Sequence, residues 1–101
     1  MSSRIKLHEE LKTLIGSGSV YFQPPASVKM TYPCIVYGLN DMDMKHADDK
    51  IYLNKKRYSI TVIDKNPDSI IPDKILGFPL CGFGRFYTAD NLNHWVFDLY
   101  Y

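Results

Sequence analysis

The chain has 101 residues, of which 46% are hydrophobic and 23% are charged, and its formal net charge is +1 at pH 7. This length suits a single domain over residues 1–101 with one modest core, and it excludes a two-domain cleft. The small net charge excludes a broad field that would capture nucleic acid or acidic lipid, so any such binding has to be local.

The first segment predicts an amphipathic helix from residue 3 to residue 15. Leu7, Leu11, Leu14 and Ile15 share one helical face, and Gly16 suits a left-handed helix cap. The start of the chain does not read as a signal-peptide core, and no apolar run reaches the roughly 18 residues of a membrane helix. We therefore expect a soluble protein that is made in the cytosol and has no membrane partner.

The middle of the chain predicts a short edge strand and a long hairpin. Residues 20–22 form the short strand, which ends before Pro24 and Pro25 because proline lacks a backbone donor. Residues 33–39 are apolar on both faces, which favours a central strand. Residues 57–62 alternate between apolar and polar types, which indicates a strand with one wet face, paired antiparallel to the previous one.

Residues 40–54 separate these two strands and predict a polar loop or hairpin tip. Several carboxylates in this stretch could offer oxygen ligands to calcium. The stretch lacks the central glycine and the distal glutamate that shape a helix-loop-helix calcium site. We therefore expect a solvated loop and no metal site.

The last third predicts a short helix and a final hairpin. Ile70, Ile71, Ile75 and Leu76 give a helical face, and Pro72 fits its first turn. Strands at residues 81–88 and 94–101 flank a turn at 89–93. Two aromatic rows should meet across this hairpin: Phe83 and Tyr87 with Trp95, Phe97 and Tyr101.

These elements predict an α+β fold. Its antiparallel sheet has four or five strands, with room for a mixed edge. An N-terminal amphipathic helix and a second short helix pack on it. Gly82 and Gly84 lie inside a predicted strand, where glycine allows a bulge or close packing under a ring. Cys34 and Cys81 lie in apolar strands and are expected to be buried thiols rather than a disulfide.

Residue types that perform chemistry are present without a catalytic spacing. His8, His46 and His94 are scattered, and no pair has the spacing of a helical zinc motif. The chain lacks a Gly-x-Ser-x-Gly elbow, a phosphate-binding glycine loop and a Cys-x-x-Cys pair. The best acid–base pair is His94 with Asp90 or Asp98, and strand neighbours two apart commonly share a face without a catalytic role. We expect neither enzyme activity nor a cofactor.

Aromatic residues are frequent for so small a domain. The chain has eight tyrosines and five phenylalanines. Rigid amphipathic rings are enriched at protein interfaces, because they give large contact area at a low entropy cost. We expect about a third of them to remain available for partners, since a core of this size cannot hold all of them.

Three strings, together with the order of elements, resemble a known family. The strings are Tyr32-Pro33-Cys34-Ile35-Val36-Tyr37, Arg57-Tyr58-Ser59-Ile60-Thr61-Val62, and Arg85-Phe86-Tyr87 with Trp95-Val96-Phe97. With the first helix, the charged loop and the proline-marked helix, they look like the small tail-terminator or tail-completion proteins of long-tailed (siphophage-type) bacteriophages. The resemblance extends from about Ile5 to Tyr101.

The resemblance implies a structural virion protein of the tail-neck region that is assembled in the cytoplasm of a host bacterium. It implies a homo-oligomeric ring, a hexamer, at the head-proximal end of the tail tube. The ring would end tube polymerisation and join the tail to the head connector, so its partners would be the major tail tube protein and the connector. Nucleic acid would meet it only as DNA passing through the ring lumen.

The charged hairpin tip and the first helix are the predicted contact surfaces of this ring. Charge complementarity would set the register against a neighbour or the tube. The residues predicted for this interface are Asp41, Asp43, Lys45, Asp48, Asp49, Lys50, Tyr52, Lys55 and Lys56.

Two other functions fit the same sequence. One is a head-closure or connector protein, which is also a ring of the phage neck but faces the portal. The other is a small single-stranded nucleic-acid-binding module, in which Lys55, Lys56 and Arg57 would follow phosphates while Tyr58 and the aromatic strands stack bases. Its binding would fall steeply with added salt.

Overall fold

The computed structural model describes residues 3–16, 19–25, 27, 29–41 and 56–101. The elements follow the order predicted from the sequence, and the α+β fold is confirmed. They are α1 (Ser3–Ile15), β1 (Ser19–Phe22), β2 (Cys34–Asp41), β3 (Arg57–Asp64), α2 (Ile71–Ile75), β4 (Cys81–Ala89) and β5 (Leu92–Tyr100). Neither helix of these ranges is long and apolar enough to cross a membrane.

The five strands form one mixed sheet in the order β1-β2-β3-β5-β4. β1 runs parallel to β2, and the other neighbours are antiparallel. Because β3 and β4 both run antiparallel to β5, they are parallel to each other, and α2 lies on the crossover that joins them. The described sheet therefore has β1 at one edge and β4 at the other.

Both helices cover one face of the sheet. Leu7 and Leu11 of α1 and Ile75 of α2 are fully buried, as the helical spacing predicts. Ile70 and Leu76, which were predicted for the same face as Ile75, are instead exposed. The buried helix residues pack against alternate residues of the strands, which therefore share a face: Ile35, Tyr37, Tyr58, Ile60, Val62, Phe97 and Leu99. The core thus lies over β2, β3 and β5.

The ends of the helices confirm their sequence signals. Gly16 follows α1 with a φ of 74°, and its N–H donates to the carbonyl of Lys12 at 3.1 Å. Glycine adopts this left-handed conformation without a steric cost. Pro72 lies in the first turn of α2, where its missing donor leaves no helical bond unmade.

The turn between β4 and β5 is tighter than the sequence predicted. Asp90 and Asn91 have φ of 53° and 63°, so both are left-handed, and the strands continue to Ala89 and Leu92. A two-residue turn with two left-handed positions is a type I′ turn, whose twist matches that of the strands. Aspartate and asparagine tolerate this conformation better than most residues.

β4 carries a bulge at Gly84. The register against β5 shifts between Phe83 and Arg85. A Cβ atom on Gly84 would lie 3.1 Å from the backbone oxygen of Val96, so the two backbones approach closely there. The sequence-based expectation that a strand glycine marks a bulge or close packing is confirmed.

The bulge corrects the predicted aromatic row on β4. Phe83 and Phe86, rather than Phe83 and Tyr87, share the helix-covered face, where both lie opposite aromatic residues of β5. Tyr87 lies on the other face, opposite His94. The prediction was wrong because it continued strict alternation through a position where one extra residue reverses the faces.

Candidate partner-binding surface

Exposed large apolar side chains concentrate in one stretch of the chain. Single exposed apolar residues are normal on a protein surface, whereas a group of them indicates a contact surface. Six of the eight such residues in the described ranges lie between positions 70 and 87: Ile70, Leu76, Leu80, Phe83, Phe86 and Tyr87. We call Phe83, Arg85, Phe86 and Tyr87 the β4 surface.

β4 is an open edge strand. Eight of its nine residues are exposed, and among the described strands it pairs only with β5. Edge strands are usually protected by lysine, by proline or by being short. β4 has neither lysine nor proline, and Arg85 is its one charged residue. Its protective features are Arg85 and the bulge at Gly84.

The hairpin geometry decides which backbone groups of β4 face outward. In a two-residue hairpin the residues that flank the turn, Ala89 and Leu92, form a hydrogen-bonded pair. Because hydrogen-bonded and non-hydrogen-bonded pairs alternate, Phe86 and Thr88 belong to non-hydrogen-bonded pairs with β5. Their N–H and C=O groups therefore point toward the open edge.

On the helix-covered face, the exposed rings of β4 rest on rings of β5. The ring centroids of Phe83 and Phe97 are 5.5 Å apart, with planes at 71°. Those of Phe86 and Trp95 are 5.4 Å apart, with planes at 54°. Phe83 and Phe86 still expose 52% and 49% of their surface. These contacts fix the rings before any partner arrives, which lowers the entropy cost of binding.

On the other face, three side chains form a row across the hairpin. Tyr87 stacks on His94 with ring centroids 4.5 Å apart and planes 11° from parallel. The guanidinium carbon of Arg85 lies 5.3 Å from the centroid of the Tyr87 ring. A cation at this distance is attracted by the ring face. The row therefore places a positive charge beside an aromatic ring at the open edge.

The acid–base pair named from the sequence makes contacts with other groups. His94 stacks on Tyr87, and its Nδ1 lies 3.2 Å from the carbonyl oxygen of Leu92. The carboxylate of Asp98 lies 3.5 Å from the guanidinium of Arg57. Within the described ranges, no group of three or more histidine, cysteine or carboxylate side chains could hold a metal ion.

A groove of about 570 Å³ runs between α1 and the segment after α2. Glu9, Glu10 and Leu14 line it from the helix, and Phe78 lines it from the other side. The Tyr101 hydroxyl donates a hydrogen bond to the carboxylate of Glu10.

The hairpin tip that the sequence proposed as an interface is largely outside the described residues. These positions are Asp43, Lys45, Asp48, Asp49, Lys50, Tyr52 and Lys55. Asp41 ends β2 opposite Arg57. Lys56 exchanges backbone hydrogen bonds of 3.3 and 3.0 Å with Tyr101. The two ends of the undescribed segment therefore leave the sheet side by side.

Tyr58, the ring that follows Lys56 and Arg57 in the sequence, is not available for stacking. Tyr58 exposes only 1% of its surface and belongs to the core. Arg57 is paired with Asp98. A base could not stack on Tyr58 without unfolding the sheet, so Tyr58 cannot be the stacking ring of a nucleic-acid-binding surface.

His8 joins α1 to β2 at the margin of the core. Its Nδ1 lies 2.7 Å from the hydroxyl oxygen of Tyr37. Burial is the main cause that lowers the pKa of His8, and the charges of Lys12 and Arg4 lower it further. Burial also raises the pKa of Tyr37. Both groups therefore favour their neutral forms, which suits a structural hydrogen bond.

The two cysteines are free thiols, as the sequence predicted. Cys34 is buried, and burial followed by the charge of Asp64 raises its pKa to about 11. Cys81 is half-buried rather than buried, and burial followed by the charge of Asp98 raises its pKa. A reactive cysteine needs a lowered pKa, so neither thiol has the environment of a nucleophile.

The β4 surface was not among the interface residues predicted from the sequence. The abundance of aromatic residues in the sequence indicated a contact surface but did not indicate where on the fold it lies. Comparison of the chain with known protein families, curated proteins and solved structures gives no match. Function is therefore inferred from the geometry of this surface and from the sequence.

Proposed function

We propose that this chain is a structural protein of a phage virion, which assembles as a ring at the head-proximal end of the tail tube. There it ends tube polymerisation and joins the tail to the head connector. The observation that carries the structural class is the β4 surface. Pre-positioned aromatic rings on an unpaired strand suit contact with protein, since such rings dominate interface energetics.

The tail position is supported by the order of elements on which the resemblance rests. The structure has the first helix, the short edge strand, the β2–β3 pair, the proline-marked α2 and the β4–β5 hairpin in that order. The strings that prompted the resemblance fall on the central strands β2 and β3 and on the β4–β5 hairpin.

The ring requires a contact between two unlike surfaces of neighbouring copies, because only such a contact generates a closed rotation of more than two subunits. The charged segment between Asp41 and Lys56 is the first candidate, since its two ends are fixed side by side on the sheet. The exposed side of α1 is the second candidate. It carries Lys6, Glu9 and Glu10. Opposite charges on both surfaces would set the register of the ring.

The experiment that tests the proposal measures the mass of the purified protein, alone and mixed with tail tubes from the same genome. A ring of six copies has six times the chain mass of 11.7 kDa. We expect rings at tube ends in electron micrographs, and tubes of defined length when the protein is present during polymerisation. Binding along tube walls, or no binding, contradicts the proposal. Binding to purified connectors instead of tubes would support the head-closure alternative.

A further inference from the structure

We infer that β4 pairs with β4 of a second copy of this chain, so that two sheets join across a two-fold axis. This inference goes beyond the proposed function and does not depend on it. A two-fold contact closes with two copies, whereas a ring needs a contact between unlike surfaces. Either can therefore exist without the other.

The choice of a second copy as the occupant follows from the two edges of the sheet. β1 has only four residues, and Pro24 and Pro25 follow it without backbone donors. Gln23, which lies between the end of β1 and Pro24, has a φ of 43°, and its N–H already donates to the carbonyl of Tyr37. The edge of a second copy that matches the nine residues of β4 is thus β4 itself.

The backbone of β4 favours an axis at Phe86. Its N–H and C=O point to the open edge, so Phe86 and Phe86 of the second copy can exchange two hydrogen bonds as a central pair. The segment from Phe83 to Ala89 is centred on this residue and overlaps with its copy along its full length. Gly84, the bulge residue, then lies opposite Thr88 of the second copy. Because Gly84 has no side chain, it does not collide with Thr88 there.

The side chains select the same register. With Phe86 on the axis, Arg85 of each copy lies opposite Tyr87 of the other, which repeats between copies the cation–ring contact already present within the hairpin. An axis at Arg85 would place two guanidinium groups directly opposite each other, and like charges in that position are destabilising. Charge therefore separates two registers that the backbone alone would allow.

The exposed rings gain cover from this contact. A two-fold axis perpendicular to the sheet keeps the helices of both copies on one face. The half-exposed Phe86 rings then meet across the axis, each backed by its own Trp95. Directly opposed aromatic pairs stabilise antiparallel strands. The half-exposed Phe83 and Phe86 rings of the two copies then form one continuous apolar strip on the helix-covered side of the joined sheet.

The first test is the mass of the protein across a concentration series by sedimentation equilibrium. We expect a concentration-dependent dimer of twice 11.7 kDa, lost in Phe86→Asp and retained in the control Leu39→Asp. Leu39 is exposed to a similar degree, 41% against 49%, but lies on β2. Circular dichroism establishes that both variants are folded. A monomer at every concentration, or a dimer that Phe86→Asp leaves intact, would overturn the inference.

The second test fixes the register by cross-linking in a Cys81→Ser background. Phe86→Cys should form an intermolecular disulfide under mild oxidation, because the axis places the two thiols opposite each other. Thr88→Cys should not, since the two copies of position 88 lie four residues apart along the strands, about 13 Å, beyond the reach of a disulfide. Equal cross-linking of both variants would refute the register.

A comparison of two variants distinguishes the proposed dimer from the proposed ring. Phe86→Asp should abolish the dimer, whereas Asp48→Lys combined with Asp49→Lys changes the proposed ring contact and should leave the dimer intact. If the protein forms dimers but no rings, only the proposed tail function is contradicted. If it forms rings but no dimers, only the pairing of β4 is contradicted.

Discussion

Gly84 and Val96 approach each other so closely that a Cβ atom on Gly84 would lie 3.1 Å from the Val96 backbone oxygen. This contact is the β4 bulge. It decides which aromatic side chains of the hairpin share a face with the helices and which share the other. A single backbone contact therefore arranges the whole β4 surface.

Gly84→Ala should destabilise the protein more than Gly82→Ala. A methyl group at position 84 must displace the paired Val96 carbonyl, whereas nothing lies within 4 Å of a Cβ atom at position 82. Both glycines have negative φ, so the difference between the two variants measures the steric effect of the added methyl group. We expect an additional loss of about 1 kcal/mol in the free energy of unfolding, measured with urea. Equal losses in the two variants would mean that the bulge relaxes freely.

Much of the fold was predictable because each element has its own local signal. The spacing of Leu7 and Leu11 predicts α1, Pro72 predicts the start of α2, and the alternation from Arg57 predicts β3. The left-handed cap at Gly16 was equally readable. These signals depend on neighbours within a few residues, which a single sequence contains.

The β4 surface was not predictable, because its signals are not local. Phe83, Phe86 and Tyr87 make β4 as apolar as a buried strand, so composition does not reveal that it lies at an edge. The face of each ring depends on a one-residue bulge, which shifts the alternation of every later position. Strand order depends on pairing between distant segments, and the parallel pairing of β1 with β2 likewise has no local pattern.

Truncating α1 inside the core should be costly. Leu11→Ala removes a side chain that has no exposed surface, so we expect a loss of about 2–5 kcal/mol in the free energy of unfolding. Lys6→Ala changes an exposed position of the same helix and should cost less than about 0.5 kcal/mol. Urea denaturation of both variants provides the measurement. A Leu11→Ala protein as stable as wild type would mean that α1 does not belong to the cooperative core.

Stability should fall as the pH is lowered through the ordinary pKa of histidine, 6.5. The pKa of His8 is lowered in the folded state by burial and by Lys12 and Arg4, so the unfolded chain binds a proton more readily. The contribution is complete above 6.5 and is lost as the pH falls toward the folded value. His8→Gln keeps a polar partner for Tyr37 without titrating there, and its decline between about pH 7.5 and about pH 5.5 should be smaller. Parallel declines in the two proteins would assign the effect to other groups.

The two thiols should differ in reactivity. Cys81 is half-buried and should react with a thiol reagent in the native protein, whereas buried Cys34 should react only as the protein unfolds. The pKa of Cys34 rises from 9.0 to about 11 on folding, so the contribution of Cys34 to the free energy of unfolding is complete below pH 9.0 and is lost as the pH rises through this range. Because Cys34 is buried, Cys81→Ser should abolish the fast phase of labelling. A fast phase that persists in this variant would show that Cys34 is accessible.

Reversing two charges in the hairpin tip tests the ring contact. Asp48→Lys combined with Asp49→Lys should impair attachment to tail tubes while leaving the fold intact, because charge complementarity sets the register between surfaces. Asp68→Lys combined with Asp73→Lys reverses the same number of charges at exposed positions near α2 and should leave attachment unchanged. Co-sedimentation with tubes measures attachment, and circular dichroism measures folding. If both double variants attach like wild type, the tip is not the contact, and the exposed side of α1 is the next surface to change.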